Sequence, residues 1–106
     1  MLFELRQYRC QPGTRDAFVE AMESLAIPFQ VQCGMVILGS FVAEEDPDTY
    51  VWLRRFKDEA ERERLYEAVY QSDHWKTAIG PKLVPMLDLE GITVTRLLAT
   101  PKSPIQ

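Results

Sequence analysis

The stretch from Met35 to Phe56 limits what this chain can fold into more than any other. Met35 to Val42 is an almost unbroken apolar run, interrupted only by Gly39 and Ser40, and Thr49 to Phe56 is rich in aromatic and branched residues. Between them lies Glu44-Glu45-Asp46-Pro47-Asp48, an acidic turn carrying a proline. Two strand-like runs joined so closely predict an antiparallel hairpin. Ahead of it, Leu2 to Cys10 alternates with the period of two expected of a strand, and Gln11-Pro12-Gly13 breaks it. Thr14 is then a candidate N-cap for a helix whose stripe is Phe18, Ala21, Met22, Leu25 and Phe29. Pro28 predicts a kink or a fresh short helix, and Gly34 predicts its end.

Beyond the hairpin, Asp58 followed by Glu61 is close to a capping box and opens a strongly charged helix with Leu65, Ala68 and Val69 turned inward. Ser72 or Asp73 caps a further helical stretch carrying Trp75, Ile79, Leu83 and Met86, with Pro81 and Pro85 disturbing its course. Gly91 to Leu98 alternates as a last strand, and the tail from Ala99 is expected to be disordered or draped on the surface. The order β-α-β-β-α-β predicts an α+β, ferredoxin-like domain: a four-stranded antiparallel sheet with helices on one face. That domain spans 1–98, and 99–106 is a C-terminal tail.

With 106 residues there is room for one core only. The net charge of -4, without a Lys/Arg cluster, argues against nucleic acid as a partner. No run approaches the roughly 20 apolar residues that span a bilayer. Met1-Leu2-Phe3-Glu4-Leu5-Arg6 has no signal-peptide pattern, so a cytoplasmic protein is expected. Cys10 and Cys33 are too few and too far apart for a disulfide framework or a zinc site, and read as reduced, packed thiols. P-loop, dinucleotide and nucleophile-elbow motifs are missing, and no cofactor is expected.

The alternation also predicts which residues share a face. Phe3, Leu5, Val51 and Leu53 are expected to meet the helices, leaving Glu4, Arg6, Tyr8, Tyr50, Trp52, Arg54 and Phe56 on the other side. That side is too apolar to stay bare, so a second copy is expected to cover it and make a homodimer. It also carries the candidate site. Arg6 and Arg54 would hold the oxyanion of a small organic ligand, Glu4 would move a proton, and Tyr8 and Trp52 would stack. Tyr50 and Trp75 complete the candidate binding side chains; Glu4, Tyr8 and His74 are the catalytic candidates. The competing reading makes Glu4 and an arginine an internal ion pair that pins the sheet. An arginine so close would keep the Glu4 carboxylate ionised and weakly basic. His74, at a helix start, reads first as an exposed residue or cap, and Tyr70 and Trp75 as core or pocket wall.

The run Phe3-Glu4-Leu5-Arg6-Gln7-Tyr8 with Pro12-Gly13 resembles the opening strand of NIPSNAP domains. Asp46-Pro47-Asp48-Thr49-Tyr50-Val51-Trp52-Leu53-Arg54-Arg55-Phe56 resembles the hairpin of one of the family's bacterial branches, and Tyr70 with His74-Trp75 resembles its next landmark. The resemblance implies a dimeric α+β barrel with a pocket between sheet and helices. Related architectures include antibiotic-biosynthesis monooxygenases, muconolactone isomerases, polyketide cyclases and haem-binding chlorite dismutases. A cofactor-independent enzyme of oxygenase, isomerase or cyclase type is one implied function. A non-catalytic dimeric scaffold is the alternative, and haem-dependent chemistry through His74 a second one. Where that branch often carries a histidine just after the tryptophan, this chain has Lys76, Thr77 and Ala78.

Overall fold

The computed structural model describes residues 1–106. Strands β1 (Leu2–Cys10), β2 (Val36–Val42), β3 (Thr49–Phe56) and β4 (Leu87–Leu98) form one antiparallel sheet in the order β2-β3-β1-β4. The central pair, β1 and β3, sets Glu4 opposite Arg54, Arg6 opposite Trp52 and Tyr8 opposite Tyr50. β4 starts at Leu87, four residues before the expected strand, and its pairing with β1 shifts register between Gln7 and Arg9. All helical segments cover one face: α1 (Arg15–Ala21), α2 (Ile27–Cys33), α3 (Glu59–Tyr70) and α4 (Gly80–Leu83).

The expected facing of the sheet is reversed. Tyr8, Tyr50, Trp52 and Phe56 are buried beneath the helices, together with Glu4 and Arg54 at 0% exposure. Leu5 is exposed, and Val51 and Leu53 are half-buried, on the open side. Both sets alternate with period two and both are apolar enough for a core, so the pattern alone did not choose between them. Size decides: the aromatic set has more area to hide, and the helices supply the cover. Phe3 is nonetheless buried on the open side, where it lines a groove with Leu53, Leu97 and the tail residue Ile105. The tail is thus draped on the open face.

The helices follow the proline signals with one refinement. Between α1 and α2 lies a single π-turn, Met22–Ala26, closed by the Ile27 N–H donating to the Met22 carbonyl. Pro28 comes immediately afterwards, where its missing N–H is tolerated. A second π-turn, Trp75–Ile79, closes the same way onto the Trp75 carbonyl and is followed by Pro81. Each extra residue shifts the buried stripe by one. After Phe18 and Met22, the next inward residues are Ala26 and Gln30, whereas Leu25 and Phe29 are only half-buried.

The caps divide. Asp58 accepts from the Glu61 N–H at 2.9 Å and Glu61 accepts from the Lys57 N–H at 3.0 Å, so α3 starts as predicted. Thr14 makes no cap bond; its hydroxyl donates to the carbonyls of Gln11 and Met86. In α3, Leu65 and Val69 are buried but Ala68 is exposed. Gly34, at φ +112°, ends α2 in the left-handed region that glycine adopts without strain.

Candidate functional site

Reversing the sheet carries the polar residues with it, into the layer between sheet and helices. Glu4 sits at the centre of a saturated network. Its carboxylate accepts from Arg54 Nε at 2.7 Å, Arg62 Nε at 2.7 Å and the Tyr66 hydroxyl at 2.7 and 2.8 Å. Burial would raise its pKa, but Arg54, Arg62 and Tyr66 together overcome that and hold it below the ordinary carboxylate value. A carboxylate so charged and so fully engaged is a poor proton acceptor. The geometry places Glu4 in a structural ion pair, out of reach of a ligand.

Arg54 is equally occupied. Beyond Glu4, it donates to Gln30 Oε1 at 3.2 Å, to the Tyr70 hydroxyl at 2.7 Å and to the Tyr66 hydroxyl at 2.6 Å. Its guanidinium also lies 4.7 Å from the Trp52 ring centroid. Burial opposes its charge, but Tyr70, Tyr66 and Glu4 more than offset this and keep its pKa above the ordinary arginine value. Arg54 is therefore a frame that orients Gln30, Tyr66 and Tyr70. It does not line the cavity described next, contrary to the expected arrangement.

Arg6 differs in one respect: it has no acid partner. Its Nε donates to the Tyr8 hydroxyl at 2.7 Å and one terminal nitrogen reaches the Tyr66 hydroxyl at 3.4 Å. Arg6 lines a cavity of about 190 Å³ between sheet and helices. Tyr8, Phe18, Trp52, Tyr70 and Trp75 form its aromatic wall, Gln30 also lines it, and Leu83, Leu87 and Ile92 are among its apolar residues. Both π-turns contribute their first residues, Met22 and Trp75, to this wall. Helical irregularities of this kind are frequent at functional sites. The volume lies below the range of about 300–1,000 Å³ typical of drug-sized ligands, so any occupant is compact.

Two buried side-chain donors on residues that line this space, Gln30 Nε2 and Trp52 Nε1, have no partner within the protein, and neither nitrogen is itself open to the cavity. The Gln30 amide orientation follows from the Arg54 N–H on Oε1; reversing it would set donor against donor. The Tyr70 hydroxyl oxygen accepts from Arg54, and burial, only partly countered by Arg54, raises its pKa. Tyr70 is thus a neutral phenol at neutral pH.

The remaining candidates lie elsewhere. Tyr50 is buried beside the cavity, but its hydroxyl is paired with Ser40 at 2.6 Å and its ring packs edge-on to Phe18; burial pushes its pKa up to about 12. His74 is exposed, its ring edge-on to Phe29 with centroids 4.9 Å apart, outside the cavity. A haem ligated by His74 would therefore sit on the surface and not in the cavity, so the residues present do not fit that group. Gln30, Tyr66, Tyr70 and Arg62 were not among the predicted site residues, although they complete it. Helical spacing could have pointed to Tyr66 and Tyr70, which are four apart on the inner face of α3.

The sequence matches the NIPSNAP family model over residues 3–104. Among solved structures, a NIPSNAP family protein of unknown function from Agrobacterium tumefaciens superimposes with a TM-score of 0.89 at 20% identity, covering 100% of this chain and 94% of that one. A NIPSNAP domain protein from Burkholderia xenovorans gives 0.86 at 22% identity, with 98% and 99% covered. A putative antibiotic biosynthesis monooxygenase from Nitrosomonas europaea gives 0.72 at 12% identity, with 93% and 98% covered. At these identities the likeness establishes the fold. No protein of curated function matches the sequence.

Proposed function

The chain belongs to the NIPSNAP family, and on that premise we propose that it binds a small aromatic or anionic molecule in the cavity between sheet and helices. The observation that carries this reading is Arg6, a guanidinium on the cavity wall with phenols but no carboxylate for company. The Tyr8 and Tyr66 phenols offset the burial of Arg6 and hold its pKa above the ordinary arginine value, but no carboxylate neutralises its charge, and a bound anion would do so. Aromatic walls from Tyr8, Trp52 and Trp75 suit a planar body. The chemistry nearest to this arrangement is cofactor-independent, of oxygenase, isomerase or cyclase type, with Tyr8 and Tyr70 as the groups close enough to the cavity to exchange a proton. The similarity to a putative antibiotic biosynthesis monooxygenase supports that direction at the level of fold.

The working unit in this reading is a homodimer. Leu5, Phe41, Val36 and Leu97 are exposed on the open side of the sheet, beside Val51 and Leu53, and a second copy is the simplest cover for so much apolar area. A non-catalytic dimeric scaffold is the second reading, favoured by how much of the polar network is satisfied internally. No helix of the structure is long and apolar enough to cross a membrane, and two free cysteines suit a reducing cytoplasm. A thermal-shift series with small aromatic acids and their neutral counterparts tests the binding reading. A rise in Tm that grows with concentration is expected for at least one acid. No rise for any of them at millimolar concentration would leave the scaffold reading.

A further inference from the structure

The cavity wall is uneven in its exposure. Phe18, Gln30 and Trp52 are almost wholly enclosed, whereas Val84 is 48% and Leu89 is 59% exposed, more than any other residue that lines the space. The cavity therefore meets solvent beside Val84 and Leu89. These two stand on backbone of different kinds. Val84 opens the helical turn Val84–Met86, and the chain just after it is tied down. The Met86 carbonyl accepts from the Gln11 N–H at 2.8 Å and the Thr14 hydroxyl at 3.1 Å, and the Leu87 carbonyl accepts from Gln11 Nε2 at 3.2 Å. Leu89 begins the irregular part of β4. Arg9 pairs with Asp88 and Gln7 with Thr93, so Leu89, Glu90, Gly91 and Ile92 stand opposite Tyr8 alone. β4 is also an edge of the sheet, so no strand holds this bulge from its other side. Bulges of this kind re-aim side chains beside functional sites, and local opening costs least where a segment lacks partners.

Resting on the binding reading above, we propose that the bulge Leu89–Ile92 is the lid of the cavity. It swings between two fixed points, Asp88 and Thr93, carries Leu89 away from the wall to admit a compact ligand, and returns it as cover. At 59% exposure Leu89 is little used as cover in this structure, and closing it over a ligand takes more of its apolar surface out of water. Gly91 gives the lid its seat. A Cβ at that position would lie 2.7 Å from Arg9 Cβ, closer than non-bonded carbons approach, so the bulge rests against β1 only because the residue is glycine. An alanine there lifts the bulge off β1 without removing any side chain from the cavity wall.

The test separates rates from affinity. With 4-fluorobenzoate as the probe, 19F relaxation measurements give its association and dissociation rates on the parent, Gly91→Ala and Leu89→Ala. Both rates should rise in both variants, by roughly fivefold or more, because each loosens the cover that the probe must pass. In Gly91→Ala the Kd, being the ratio of the two rates, should change much less than either. Without ligand, 15N relaxation dispersion should show exchange on the μs–ms timescale at Leu89–Ile92 and not at Met86 or Thr95. Flat dispersion profiles at the bulge, or bound probe whose rates ignore both substitutions, would overturn the lid while leaving the cavity a binding site. No binding of the probe to the parent would remove the binding reading and the lid with it. Should Gly91→Ala fail to fold, Leu89→Ala and the dispersion profiles of the unaltered protein decide.

Discussion

The two faces of the sheet solve the problem of burial in opposite ways. The helix-covered face buries charge: Glu4 and Arg54 are fully enclosed, and Arg62, Tyr66, Tyr70 and Gln30 satisfy them from α2 and α3. The open face is mainly apolar, with Leu5, Phe41, Val51, Leu53 and Leu97, and its polar residues, among them Gln7, Arg9, Arg55, Thr93 and Thr95, are exposed or half-buried. Charge can be buried where the chain supplies every partner. Apolar surface can be left open where another surface is to supply the cover. The lesson is that the face with the most polar atoms is the one that needs least from outside, apart from Arg6.

The sharpest way to break this comparison is to remove the centre of the polar face. Glu4→Leu leaves Arg54 enclosed with phenols and an amide but no carboxylate, and should cost about 3–5 kcal/mol of unfolding free energy in urea. Removing both charges, in Glu4→Leu with Arg54→Met, should recover part of that loss, because no unpaired charge remains. A double variant no better than the single one would mean that packing, and not charge, sets the cost.

On the open face, Leu53→Glu should leave the monomer folded and weaken self-association by about 2 kcal/mol or more, since a carboxylate would be buried at the interface. Light scattering across micromolar concentrations reads this as a shift from dimer to monomer mass. A parent protein that is already monomeric would remove the dimer from the account. The same substitution at Trp52, on the covered face, should instead unfold the chain.

A smaller effect is expected with pH. The Glu4 carboxyl titrates below its ordinary value of 4.5 in the folded chain. Its charge therefore stabilises the fold above that value, and the contribution is lost as pH falls through the depressed folded value. Unfolding free energy should drop on acidification from pH 5 to pH 2 more steeply in the parent than in the double variant, by about 1.4 kcal/mol for each unit of depression. Parallel slopes would mean that Glu4 is not held in its charged form by the network.

The fold was largely legible because its signals are local. The acidic turn at Glu44–Asp48, the Asp58 cap and the two proline positions mark element boundaries through backbone chemistry, and those boundaries hold within a few residues. The facing of β1 and β3 was not legible. Phe3 and Leu5 alternate with Glu4 and Tyr8 as cleanly as a buried set does, and only the packed helices reveal which set they cover. Gln30 was hidden for a different reason: an ideal helical period puts Phe29 on the inner stripe, and the π-turn at Met22–Ala26 moves it off. Arg62 lay inside a run that reads as a solvated helix face, and its bond to Glu4 depends on a strand 58 residues away in sequence. Arg6 and Trp52 were visible as site residues, but their role differs from that of Arg54 only through who their partners are.

That difference between two arginines is the centre of the account, and calorimetric titration of benzoate into the Arg6→Met protein tests it most directly. Arg6 contributes no ion pair to the fold, so the variant should keep its cooperative unfolding and lose about 1.5–3 kcal/mol of benzoate binding, roughly a 10- to 150-fold rise in Kd. An Arg6→Met protein that is folded and binds benzoate as tightly as the parent would contradict the assignment of Arg6, and with it the cavity, as the functional site.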